Sequence, residues 1–215
     1  MTQSIAGCLA ASLLLAVCHG PAEARITRLQ ITVAQSPTFG GRTFGSGGLV
    51  GTYEKLIGRA YGEVDPNDPR NALIIDLVLA PRNASGKVEY AMDVYILKPV
   101  DMHLGNRKLF VEVNNRGNKL FGAFNGAPIT NDPTTAADAG SAFLMNQGYA
   151  LAWGGWDPTA APGGSRLTIQ VPVAHNADGS LITGPSYEYL VFDNATTGQG
   201  ASPTPPTASI PRWHG

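Results

Sequence analysis

From Arg25 onward the chain reads as strands. Leu29, Ile31 and Val33 alternate with polar residues, and Val88, Tyr90, Met92, Val94 and Ile96 do so over a longer stretch. A period of two places those apolar side chains on one face of a sheet. Leu73 to Ala80 is nearly continuously apolar and of strand length, which predicts a strand covered on both faces. Turn signals separate these runs: Ser36-Pro37, Gly45-Ser46-Gly47-Gly48, Asp65-Pro66-Asn67-Asp68-Pro69 and Asn83-Ala84-Ser85-Gly86. The spacing predicts an antiparallel β-rich layer over 25–105.

The pattern changes in the middle of the chain. Leu109 to Asn114 alternates tightly and runs into the polar, glycine-containing Asn114-Asn115-Arg116-Gly117-Asn118. Asp132-Pro133-Thr134-Thr135 offers a helix start, and Ala137, Ala139, Phe143 and Leu144 continue it to Gln147 before Gly148 stops it. Tyr149 to Trp153 is a second short apolar strand, closed by Gly154-Gly155. Strand, polar loop, helix and strand make one βαβ unit over 106–156, and the handedness rule makes its strands parallel in one sheet. Leu167, Ile169, Val171 and Val173 begin another alternating strand, Asn176-Ala177-Asp178-Gly179 turns the chain, and Tyr187 to Phe192 follows, so 157–195 reads as a β insertion. Pro203, Pro205, Pro206 and Pro211 among Ser, Thr and Ala mark 196–215 as a mobile tail.

Composition narrows the classes. Gly 26 and Pro 16 in 215 residues argue against coiled coils and helix bundles, and 43% hydrophobic with 14% charged residues argues against wholesale disorder. The formal net charge of −1, with no cluster of Lys or Arg, leaves no electrostatic footprint for nucleic acid or an anionic membrane. Ile5 to Val17 is an apolar run too short for stable membrane insertion but suited to the core of a signal peptide. Ala22-Glu23-Ala24 supplies small residues for cleavage before Arg25, so residues 1–24 read as a signal peptide and the protein as periplasmic or extracellular. The amino-terminal Met1-Thr2-Gln3-Ser4 lacks the usual basic residue, and Val17 before Cys18 speaks against a lipoprotein signal. Cys8 and Cys18 both leave with that segment, which removes disulfides, thiolate metal sites and cysteine nucleophiles from the exported chain.

The stretches YGEVDPNDPRNALIIDLVLAPRNASGKVEY, LFVEVNNRGNK, DAGSAFLMNQGYALAWGGWD and RLTIQVPVAHNADGSLITG resemble, in order, the amino-terminal part of a family of exported bacterial alpha/beta hydrolase domain-containing proteins. The similarity spans Tyr53 to Gly184, and the region after Trp156 departs from it in lacking a further Gly-Asp. Members of that family are much longer than this chain. The resemblance therefore implies an α/β fold: the N-terminal part of an α/β-hydrolase-like domain over 25–195, with a β-rich N-terminal layer, a β-rich insertion and more strand than helix. It also implies that the partner of one edge of the Leu109–Asn114 strand comes from later sequence.

In α/β-hydrolases the loop after the third strand donates a backbone N–H to the oxyanion hole, and the second donor follows the nucleophile. The resemblance places Asn115, Arg116 and Gly117 in that loop. Read from residue types alone, Asn114 to Asn118 is a polar turn that ends a strand, and it is the resemblance that brings in the oxyanion-loop reading beside it. The nucleophile elbow G-x-S-x-G occurs nowhere in the chain; Ser165, Ser186 and Ser202 each follow a suitable glycine but lack the second one. His103, His175 and His214 lie in or near turns and read as solvated, and Asp65 with Asp68 reads as turn chemistry rather than a metal site. No cofactor and no metal is expected. Trp153 and Trp156 flank Gly154-Gly155 at the carboxyl end of a parallel strand, where open α/β sheets bind ligands, and either could stack on a sugar or aromatic group or simply pack.

Two functions follow. The first is the amino-terminal portion of an exported serine hydrolase, esterase-like, acting on a small-molecule ester-like substrate through a triad that this chain does not contain. The second is a non-catalytic, β-rich exported binding module for a glycan or aromatic ligand.

Overall fold

The computed structural model describes residues 25–161 and 163–184. The signal segment expected over 1–24, the strand expected over Tyr187–Phe192 and the tail expected over 196–215 lie outside the described residues. Six strands form one mixed sheet: β1 (Arg25–Gln35), β2 (Tyr53–Val64), β3 (Val88–Pro99), β4 (Leu109–Val111), β5 (Ala150–Gly154) and β6 (Ile169–Gln170). Their order is β1-β2-β3-β5-β4, with β6 beside β3. Strand residues outnumber helical ones, and the helices α1 (Phe121–Asn125) and α2 (Phe143–Asn146) are short. No helix among the described residues is long and apolar enough to cross a membrane.

The first three strands are antiparallel, with β2 and β3 in continuous register from Tyr53 opposite Pro99 to Val64 opposite Val88. Strands β4 and β5 are parallel, with Phe110 opposite Leu151, and the chain between them crosses one face of the sheet. That face carries Tyr53, Tyr95, Leu97, Leu151 and Trp153, packed against Phe39, Phe44, Phe121, Leu144 and Met145. The aromatic rings meet edge to face, Phe44 on Tyr53 at 5.2 Å, Tyr95 on Trp153 at 5.7 Å and Phe121 on Trp153 at 5.9 Å between centroids. Such contacts add to area burial in fixing one arrangement.

The opposite face is also apolar, and much of it is open. Register places Ile31, Gly58, Val94 and Gly154 in one row across the sheet, and Leu56, Ile96, Ala152 and Val111 in the next. Val111 is 62% exposed, and Leu29, Ile31, Leu109 and Val113 are exposed with it. Strand β4 ends the sheet and pairs only with β5 among the described residues.

Three expectations are corrected. Leu73 to Ala80 is not a covered strand: it forms turns and a 3-10 turn (Leu77–Leu79), Leu73 is 92% exposed, and of its large apolar residues Leu77 is the buried one. Both edges of β2 and of β3 are already occupied, so an apolar run in their connection finds no edge there to pair with. The single helix expected up to Gln147 is instead a 3-10 turn (Ala136–Ala139) followed by α2, because Gly140 and Ala142 take positive φ of 51° and 58° between them. A capping box of Thr135 and Asp138 starts the first piece. The strand from Leu167 reduces to β6, whose two residues pair with Ala91 and Met92.

Candidate functional site

The carboxyl ends of β4 and β5 lead into a polar network that fixes the Asn114–Asn118 loop. Asn115 and Asn118 exchange backbone hydrogen bonds at 2.8 and 3.0 Å, and the two residues between them, Arg116 and Gly117, have φ of 48° and 87°. Positive φ at both central positions defines a tight type I′-like reversal. Gly117 is needed there twice over, since a Cβ at that position would also stand 2.8 Å from the Leu167 carbonyl oxygen. The Leu167 N–H donates to the Gly117 carbonyl at 3.0 Å, so the turn and the strand-like 167–170 segment are held against each other.

Asn114 is buried beneath this turn and is its main brace. Its Oδ1 accepts the Gly117 N–H at 2.7 Å, while its Nδ2 donates to the Gly154 carbonyl of β5 at 2.7 Å. The N–H groups of Asn115, Gly117 and Asn118 are thus engaged inside the loop, whereas that of Arg116 makes no hydrogen bond among the described residues. Of the three residues that the resemblance marks for the oxyanion loop, the structure brings all into one turn. It leaves Arg116 as the one whose backbone N–H can be offered to a ligand. The Arg116 side chain is anchored sideways, Nε to Asp157 at 2.9 Å and Nη2 to the Thr159 hydroxyl at 2.8 Å. Burial by itself would raise the Asp157 carboxyl, but the bonds from Thr159 and Arg116 outweigh it and hold the group below its ordinary value.

Below the turn lie charged groups that hydropathy pattern does not reveal. Lys119 is fully buried, donating from Nζ to the carbonyls of Asn131 at 2.6 Å and Ser165 at 3.3 Å, with the ammonium 3.9 Å from the Tyr95 ring centroid. Desolvation pulls its pKa down to about 8 against the opposing pull of Asp132 and Glu112. Lys55, also buried, reaches Asp132 at 2.7 Å and the Thr134 hydroxyl at 3.0 Å, and the Tyr95 hydroxyl donates to the same Asp132 oxygen at 3.0 Å. Glu112 accepts the Leu120 N–H on one oxygen at 2.6 Å and so fixes the entry to α1. Its other oxygen and the neighbouring Trp153 Nε1 are both buried and have no hydrogen-bond partner among the described residues.

The two tryptophans separate. Trp153 is 1% exposed and belongs to the core, so it is no stacking surface; Trp156 is 49% exposed, with its Nε1 donating to the Asn114 carbonyl at 2.8 Å. That bond sets the indole beside the turn, at the end of the sheet where the parallel strands point. Ser165 is exposed and reaches Lys119 through its carbonyl, not its hydroxyl. His103 is exposed, and His175 has its Nδ1 3.1 Å from the Val173 carbonyl oxygen. Asp65 and Asp68 accept the N–H groups of Asn67 and Arg70 at 2.9 Å each and form ion pairs with Lys87 and Arg70, as turn residues do. No group of three metal-ligating side chains occurs among the described residues. Ser186, Ser202 and His214 lie outside them.

Sequence reasoning missed Glu112, Asn114, Lys119 and Asp157 as the braces of the loop. For Glu112 and Asn114 the signal was a charged or amide residue on the face that Phe110 shares, whereas Lys119 and Asp157 lie outside any strand and carried none. Comparison with known proteins adds no relative: no family model, no curated protein and no solved structure matches this chain.

Proposed function

We propose that these residues are the amino-terminal part of an exported serine hydrolase, esterase-like, whose oxyanion loop is Asn114–Asn118 with the Arg116 N–H as one donor. The observation that supports this reading best is the pairing of a braced turn at the carboxyl end of parallel β4 and β5 with an open apolar second face. A sheet that is apolar on both faces belongs between two layers of helices, and the described residues supply cover to one. The nucleophile, acid and base come from outside the described residues, and the second oxyanion donor comes with the nucleophile. Trp156 borders the acyl or alcohol side of the substrate.

A fluorophosphonate probe applied to the gene product as it is exported should label one serine outside residues 25–184. Label on Ser165 would overturn the proposal, as would the absence of any labelled serine. In the same protein Asn114→Ala, which frees the Gly117 N–H and slackens the turn, should lower kcat on a p-nitrophenyl ester by about tenfold or more and change KM less. Arg116→Gly keeps the N–H and the positive φ and should retain most of the turnover. Gly117→Val is a poor probe here, since the clash with Leu167 would disturb the loop and the sheet together.

Export rests on the apolar run of residues 5–17 and the Ala-Glu-Ala site. Mass spectrometry of the exported material should find Arg25 at the amino terminus, and an intact Met1 would sink that part of the proposal.

A further inference from the structure

A groove of about 610 Å3 opens on the core-bearing side of the sheet, away from Trp156, where β1, β2 and β3 extend past the aromatic core. Its lining combines Arg28, Tyr61, Glu63, Asn83, Glu89 and Gln170. Its size lies within the ordinary range of roughly 300–1,000 Å3 for small-molecule sites.

The chemistry of the lining selects the ligand. The Arg28 guanidinium carbon lies over the Tyr61 ring, 3.8 Å from its centroid, so the two planar groups together make a wall, and its Nη1 is fixed by Gln30 at 2.8 Å. Glu63 is held by Arg25 at 2.8 Å, Glu89 by the Asn83 amide at 3.0 Å and Gln170 by Arg59 at 3.3 Å. Arg28 and Arg82 balance Glu63 and Glu89 in charge, so the lining favours neither an anion nor a cation. The second carboxylate oxygens of the two glutamates, the Gln170 NH2 and the Tyr61 hydroxyl take no part in these bonds, so donors and acceptors remain on side chains already held in place. A neutral, polyhydroxylated ring compound uses fixed donors, fixed acceptors and a flat wall together.

Placement ties the groove to the loop. Val94 lies opposite Gly154, the last residue of β5, so Glu89–Ala91 of β3 stand beyond the carboxyl end of the parallel pair. One segment joins the two places: Leu167 bonds to Gly117 of the turn, Ile169 and Gln170 pair with β3, and Val171 and Pro172 wall the groove. Gly155 permits this course, because a Cβ there would stand 2.1 Å from the Thr168 carbonyl oxygen.

We propose that this groove binds a neutral oligosaccharide of two or three rings. Resting on the hydrolase reading, the groove would hold the non-reacting part of an acylated saccharide. Cellobiose, maltose and chitobiose carry no ester, so their binding is independent of catalysis. Titrated by calorimetry into the exported protein, at least one should bind with a Kd of about 1 mM or tighter. Tyr61→Ala and the exposed, fold-neutral Glu89→Gln should each weaken that affinity by about tenfold, and the exposed Leu49→Ala, outside both the groove and the turn, should leave it unchanged. Failure of all three disaccharides to bind, or binding that survives both groove variants, would overturn the site. Binding in a protein that the fluorophosphonate probe does not label would uphold the groove and reject the hydrolase instead.

Discussion

Replacing Trp153 by alanine should cost about 3–5 kcal/mol of stability, the range for deleting a large buried aromatic. Trp153 is 1% exposed and meets both Tyr95 and Phe121 edge to face, so its loss opens a cavity between the sheet and α1 rather than a surface that can relax. Its Nε1, without a partner among the described residues, returns part of this, since such a buried donor costs about 1–3 kcal/mol, so the loss belongs at the lower end of the range. For a domain of this size each kcal/mol shifts Tm by roughly 2–4 °C, so a fall of about 10 °C is expected in a calorimetric scan. Trp156→Ala, which removes a half-exposed indole, should shift Tm by no more than a degree or two, about 0.5 kcal/mol. Equal losses for the two variants would contradict the core described above.

The second large effect is an inverted pH response. Raising the pH from about 8 to about 10 should stabilise the protein. The Lys119 ammonium has a pKa near 8 in the folded chain against an ordinary 10.5, because burial disfavours its charge. Between those values the unfolded chain holds a proton that the native chain has released, so stability rises with pH and is lost as pH falls through about 8. The gap bounds the gain at about 3 kcal/mol. Above about 10 the direction reverses. Burial pushes the hydroxyls of Tyr53 and Tyr95 above their ordinary 10.0, so they stay neutral in the fold while the unfolded chain ionises, and their stabilisation fades. Urea midpoints taken from pH 7.5 to 11 should therefore peak near pH 10. Lys119→Met keeps the stem between Tyr95 and the carbonyls and should flatten the rise while leaving the alkaline fall. A native midpoint that is flat from 8 to 10, or a rise that persists in Lys119→Met, would show that Lys119 does not carry the effect.

Both predictions concern residues whose roles the sequence left open, and the reason lies in what each pattern measures. Alternation reports which side chains share a face. Val88 to Ile96 and Leu29 to Ile31 therefore announced β3 and β1, and strand, loop and strand announced the parallel β4 and β5. Strand β2 is less legible. Its buried positions include Lys55 on the core face and the glycines 58 and 62 on the other, and burial changes phase between Lys55 and Gly58, so no single hydropathy alternation marks the strand. Lys55 sits on the core face because Asp132 and Thr134, far along the chain, pair with it.

The sequence by itself determined the strand-rich character, the turn positions, the parallel unit and the placing of Asn115, Arg116 and Gly117 after a strand. These follow from local spacing and from residues with special backbone freedom, which act over a few positions. Only the tertiary structure decided which apolar runs are buried. Leu73 to Ala80 is as apolar as any strand here, yet it lies exposed because the neighbouring strand edges were already taken. Tertiary structure likewise separated Trp153 from Trp156, three residues apart, by ending β5 between them. It also gathered Glu112, Asn114, Lys119, Asn131 and Asp157 around one turn, since a buried polar group is settled by partners from distant segments, and no local pattern encodes those partners.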